Sequence, residues 1–146
     1  MRRIKYTRLK ENAIIPTRGS EKAAGYDLYA NIDNDGHIVI NPGETVVIGT
    51  GLSFELPDNT FAAIFARSGL STKSGLAPAN KVGVCDSDYR GEYKVPLHNH
   101  SNIPATVNHG DRIAQMVVMP FIPVELEEGE LSETARGAGG FGSTGV

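Results

Sequence analysis

Two carboxylates two residues apart, Asp86 and Asp88, lie in the run Gly83-Val84-Cys85-Asp86-Ser87-Asp88-Tyr89-Arg90-Gly91, beside a tyrosine and bracketed by glycines. In extended backbone that spacing puts both on one face. A carboxylate held at the mouth of such a hairpin can orient a water and take its proton, the general-base step of phosphate-ester hydrolysis. The same residues equally describe a solvated hairpin tip in which Asp and Gly only satisfy turn geometry. A second group, Arg67-Ser68-Gly69, opens the one helix-like segment, where free backbone N–H groups favour an anion and the arginine fork suits phosphate. A plain helix start with a surface arginine fits these residues as well.

The third group is Arg136-Gly137-Ala138-Gly139-Gly140-Phe141-Gly142-Ser143-Thr144-Gly145, in which glycines carry one arginine, one ring and two hydroxyls. Such a segment can order over a nucleotide, the ring stacking on a base while the polar groups meet phosphates. Glycine tails without a role have the same composition. Three other patterns carry less. Asp33-Asn34-Asp35-Gly36 opens like a calcium loop but lacks the later ligands and terminal glutamate, so a hairpin turn is expected there. Gly137 to Gly142 matches the dinucleotide fingerprint without a βαβ unit around it. His98 and His100 share a strand face but have no third metal ligand at suitable spacing.

The elements that must position these groups are short strands. Ile4-Tyr6, Phe61-Ala63-Phe65 and Tyr93-Val95-Leu97 alternate with period two. Asp33 to Gly36, Asn41-Pro42-Gly43 and Pro57-Asp58-Asn59 punctuate the chain before His37-Ile40, Thr45-Ile48 and Phe61. Seventeen glycines and eight prolines in 146 residues favour this cadence, that of an antiparallel barrel or sandwich. One helix of about two turns is expected over Ser68–Ser74, with Ser68 as its cap and Gly75 ending it. The length suits one domain. A single cysteine, Cys85, precludes an internal disulfide and fits a reducing compartment, so a cytoplasmic location is expected. A net charge of −3 gives no general attraction to nucleic acid polymers or anionic membranes, and no membrane partner is expected.

Taken together, these segments resemble the five ordered motifs of the trimeric deoxyuridine triphosphatase family over nearly the whole chain: Ala24-Gly25-Tyr26-Asp27-Leu28, Ala66 to Leu70, Gly83 to Gly91, Gly110-Asp111-Arg112-Ile113-Ala114-Gln115, and Arg136 to Gly145. The resemblance implies an all-β, jelly-roll-like β-barrel with one short helix over residues 1–134. A flexible glycine-rich arm, 135–146, would close over the active site. It also implies a homotrimer with shared active sites, built from head-to-tail contacts that close into a ring. The implied reaction is hydrolysis of dUTP to dUMP and pyrophosphate, which limits uracil incorporation into DNA and supplies dUMP for thymidylate synthesis.

By motif position, Asp86 is expected to activate the water that attacks the α-phosphorus and to contact the sugar 3′-hydroxyl. Tyr89 would lie under the deoxyribose, while Asn80 and the backbone around Val84 and Cys85 would read uracil. Lys94 matches a position that approaches the substrate in some members. Arg67, Ser68, Gly69 and Gln115 would hold phosphates, and Arg136, Phe141, Gly142, Ser143 and Thr144 would close over base and γ-phosphate. Asp27 would help hold Mg2+ through water, and Asp111 and Arg112 would support the fourth motif and subunit contacts. Cys85 stands where the family usually has a β-branched aliphatic residue, and His109 where a basic residue is common. Two alternatives share the architecture: a dCTP deaminase, disfavoured by the Asp86–Tyr89 run and the complete fifth motif, and a nucleotide-switched protein-binding module.

Overall fold

A computed structural model describes residues 3–140, which form eleven strands, one α-helix and one 3-10 turn. The strands are β1 (Lys5–Arg8), β2 (Tyr26–Tyr29), β3 (His37–Ile40), β4 (Thr45–Gly49), β5 (Leu52–Glu55), β6 (Thr60–Phe65), β7 (Leu76–Pro78), β8 (Gly83–Cys85), β9 (Lys94–Asn99), β10 (Ala105–Asn108) and β11 (Arg112–Pro120); the helix α1 is Ser68–Ser74. All pairings among them are antiparallel, in sheets ordered β1-β5, β10-β3, β2-β11-β6-β8 and β4-β9-β7. No strand pairs with its neighbour in sequence. That connectivity is what makes the architecture a jelly-roll-like barrel and not a meander.

The missing local pairings correct two expectations. Asp33 to Gly36 does not close a hairpin, because β2 pairs with β11 while β3 pairs with β10. Asp33–Asp35 instead forms a 3-10 turn with Asn34 in the left-handed region (φ 56°). Gly83 to Gly91 is no hairpin either, since β8 adds to β6 while β9 lies between β4 and β7. Its first three residues are β8, and residues 86–93 form a loop joining two sheets. Turn residues mark where the chain must bend, but not whether the flanking strands pair afterwards.

The alternation itself is realised. Tyr93, Val95 and Leu97 are fully buried beside Ile48, Leu52, Ile64, Ile113 and Met116 in one continuous core. Burying an aliphatic side chain of this size contributes about 1.5–3 kcal/mol. β6 lies between β11 and β8, with Ala62 and Ala63 buried. Helix α1 spans the expected residues and ends at Gly75 in the left-handed conformation (φ 66°). Its cap differs: Arg67 occupies the N-cap in extended backbone with no side-chain cap bond, and Ser68 is the first helical residue. β11 ends at Pro120, and no later described residue joins a strand.

Candidate active site

The loop between β8 and β9 folds on itself at Asp86. Tyr89 N–H donates to the Asp86 carbonyl (3.2 Å), and the Arg90 guanidinium donates to the carbonyls of Ser87 (2.7 Å) and Tyr89 (3.3 Å). The Tyr89 hydroxyl donates to the Glu92 carbonyl (3.1 Å). Gly91 is required here because a Cβ would run into the Tyr89 ring. The loop is tied to the barrel by Ser53 Oγ on the Arg90 carbonyl (2.7 Å), Tyr93 N–H on the Leu52 carbonyl (2.9 Å) and Thr50 Oγ1 on the Tyr93 carbonyl (2.8 Å). Asp86 and Tyr89 are thus exposed yet held by a buried frame.

Under this loop lies a cavity of about 280 Å³ that brings together Asn80, Val84, Cys85, Asp86, Tyr89 and Lys94, all expected at the nucleoside, with Glu92 and Tyr93. Its walls are mixed. Tyr93 stacks against Phe54 (centroids 4.7 Å apart) and lies beneath Tyr89 (6.1 Å). Burial pushes the Cys85 thiol up from its ordinary range, opposed by the Tyr93 hydroxyl, and burial likewise raises the Tyr93 phenol. The Tyr93 hydroxyl is buried beside the half-buried Cys85 thiol, and each perturbs the other.

A second cavity of about 400 Å³ gathers Asp27, Arg67, Ser68, Gly69, Arg112 and Gln115. Asp27 is buried and paired twice, to Arg67 Nε (2.7 Å) and Arg112 Nη1 (3.4 Å). Arg112 reaches it because of a bulge on β11. Arg112 pairs with Tyr29, Ala114 with Leu28 and Gln115 with Asp27, so one extra residue separates Arg112 from Gln115 and both side chains share the face of Asp27 and Tyr29. Gln115 Nε2 donates to the Ala66 carbonyl (2.9 Å), and its amide lies against Gly25, where a Cβ would stand 2.7 Å from Oε1. Two guanidiniums and the open first turn of α1 give this cavity groups whose chemistry suits an anion.

The donor set does not suit a resident magnesium ion. Asp27, expected to hold one through water, has both oxygens paired to arginines, and the described residues contain no group of three His, Cys, Asp or Glu side chains placed to bind a metal. His98 and His100 line a separate cavity with Lys81 and Ser71, and His98 Nδ1 lies 2.9 Å from Thr45 Oγ1. Arg136 is in neither half of the site, donating instead to the Gly139 carbonyl of its own turn (2.8 Å). Phe141, Gly142, Ser143 and Thr144 lie outside the described residues. Arg112, expected to support the fourth motif and subunit contacts, lines the second cavity beside Asp27, and Glu92 lines the first cavity without having been singled out from sequence. The period-two pattern puts Arg112 opposite Gln115, and a bulge leaves no mark in that pattern; Glu92 is distinguished only by its tertiary partners.

The two cavities share no residue, and Ile64 lines one while Phe65 lines the other. As consecutive strand residues they point to opposite faces of the β2-β11-β6-β8 sheet. The chain matches the family model described as dUTPase over residues 11–145. It is 50% identical to a deoxyuridine 5'-triphosphate nucleotidohydrolase of Desulfitobacterium hafniense, covering 99% of this chain and 95% of that one. It is 46% identical to one of Nautilia profundicola, covering 98% and 99%. Its fold is similar to a G164S mutant of Staphylococcus bacteriophage 80alpha dUTPase solved with dUpNHpp, with a TM-score of 0.87, 26% identity and 100% coverage of both chains.

Proposed function

The chain belongs to the dUTPase family and hydrolyses dUTP to dUMP and pyrophosphate; from that premise we propose how its residues divide the work. Asp86 orients a water toward the α-phosphorus and takes its proton as the new P–O bond forms and the bond to pyrophosphate breaks. Tyr89 underlies the deoxyribose and leaves no room for a 2′-hydroxyl. Asn80 and the backbone at Val84 and Cys85 read the uracil edge. Lys94 lines the same cavity as a local cation. Arg67, Ser68, Gly69 and Gln115 hold the phosphates, with Arg112 beside them, and Asp27 orients both guanidiniums. Arg136 and Phe141 to Thr144 close over the bound nucleotide.

The observation that supports this division is that the two half-sites are separate cavities with no lining residue in common. We therefore assign the enzyme a homotrimer in which each site joins a nucleoside cavity from one copy to a phosphate cavity from another. The largely exposed apolar side chains of the tail, Ile122, Val124, Leu126 and Leu131, support such contacts. Magnesium is assigned to the substrate's phosphates, where it neutralises charge with most of its hydration shell intact. No helix among the described residues is long and apolar enough to cross a membrane, and the free Cys85 supports a cytoplasmic location.

Pyrophosphate release from dUTP, dTTP, dCTP and UTP, with magnesium and with chelator, tests the assignment. Magnesium-dependent release from dUTP alone is expected. Ammonia release from dCTP, or no product from dUTP, would overturn it.

A further inference from the structure

Glu92 is held more firmly than any other carboxylate of the nucleoside cavity. Its Oε1 accepts the Gly51 N–H (2.9 Å), and it fills the space over Gly49, where a Cβ would collide with the carboxylate. Its backbone carbonyl receives the Tyr89 hydroxyl. The other oxygen, Oε2, lies 3.4 Å from Lys94 Nζ, and the Glu92 side chain is 23% exposed against 54% for Lys94. An exposed ammonium is therefore paired to a carboxylate held by the backbone around it.

That arrangement has a consequence for Asp86. Among the described residues, the titratable groups lining the cavity are Cys85, Asp86, Tyr89, Glu92, Tyr93 and Lys94, and the only cation of these is Lys94. Asp86 is the other carboxylate that lines the same cavity, and it is the partner left to Lys94 there once Glu92 is neutral. Such pairing stabilises the charged form of Asp86 and makes it a poorer proton acceptor.

We propose that Glu92 is a positioning residue that keeps the Lys94 ammonium on its own carboxylate, leaving Asp86 free to accept the proton of the attacking water. The proposal rests on Asp86 being the base. Glu92→Gln separates the two roles of the side chain, because its amide oxygen can still accept from Gly51 N–H while the charge that holds Lys94 is gone.

The experiment compares the wild type, Glu92→Gln, Lys94→Met, the double variant and Asp86→Asn, each as the full-length enzyme with magnesium and dUTP. Glu92→Gln should lower kcat about tenfold with KM changed less than about twofold, and should move the acid limb of the pH–kcat/KM profile to lower pH. Adding Lys94→Met should restore kcat to that of Lys94→Met alone. An undiminished kcat in Glu92→Gln, or a loss that Lys94→Met does not relieve, overturns the proposal. Thermal melts with and without dUMP check that each variant folds and binds, and a Glu92→Gln protein that no longer melts cooperatively would make Glu92 structural and also overturn it. Normal turnover by Asp86→Asn would instead remove the base assignment and the proposal with it, whereas an inactive Asp86→Asn beside an unimpaired Glu92→Gln removes the proposal alone.

Discussion

At the scale of single residues, the nucleoside cavity combines groups that must stay neutral with groups that must stay charged. Cys85 and Tyr93 belong to the first kind, because burial raises both above their ordinary values. A raised folded-state pKa favours the protonated form, so the associated stability is complete below the unfolded values, about 8.5 for a thiol and about 10 for a phenol. It is then lost as pH rises toward the folded values. Thermal midpoints recorded from pH 7 to 11 should therefore fall above about pH 8.5, with the first part of the decline flattened in Cys85→Ala. An identical pH profile in that variant would show that the thiol contributes nothing. Asp27 illustrates how a residue type legible in sequence acquires its role from tertiary partners. Its carboxylate suits a cation of either kind, and the structure supplies two guanidiniums.

At the scale of elements, loop geometry decides where the reactive groups stand. The loop from Asp86 to Gly91 is closed by its own hydrogen bonds and leaves no space beyond the Gly91 Cα. Gly91→Ala should displace the Tyr89 ring and lower kcat/KM for dUTP by about tenfold or more, since small misplacements at a reacting centre are costly. The dUTP-to-UTP preference should fall with it, while the far-UV circular dichroism stays that of the wild type. Retained preference would mean that Tyr89 does not set the sugar specificity. Strand and helix positions were legible from periodicity and stop signals, as His37–Ile40 and Ser68–Ser74 show. The β11 bulge was not, because it changes which face a residue occupies without changing the residues.

At the scale of the whole molecule, a chain with no sequence-adjacent strand pairing must bring distant segments together before any sheet forms. Beyond β11, Leu126 and Leu131 are almost wholly exposed. Light scattering should give three times the 15.6 kDa chain mass in solution. Deleting the residues after Thr134 should preserve that mass while lowering turnover by about tenfold or more, because closure over the nucleotide is lost and assembly is not. A truncated protein that falls to monomers would assign the last twelve residues to the interface.

The sequence by itself determined the class of structure, the position of most strands, the short helix, and the groups of residues from which the site is built. These follow from side-chain period, turn chemistry and motif spacing, all of which act over a few residues. Tertiary structure alone decided which strands pair, that the loop carrying Asp86 joins two sheets, that Arg112 turns toward Asp27, and that Glu92 is fixed beside Lys94. Each depends on groups far apart in the chain meeting across a sheet or a turn, as Asp27 meets Arg67 and Arg112, and local spacing holds no information about such distances.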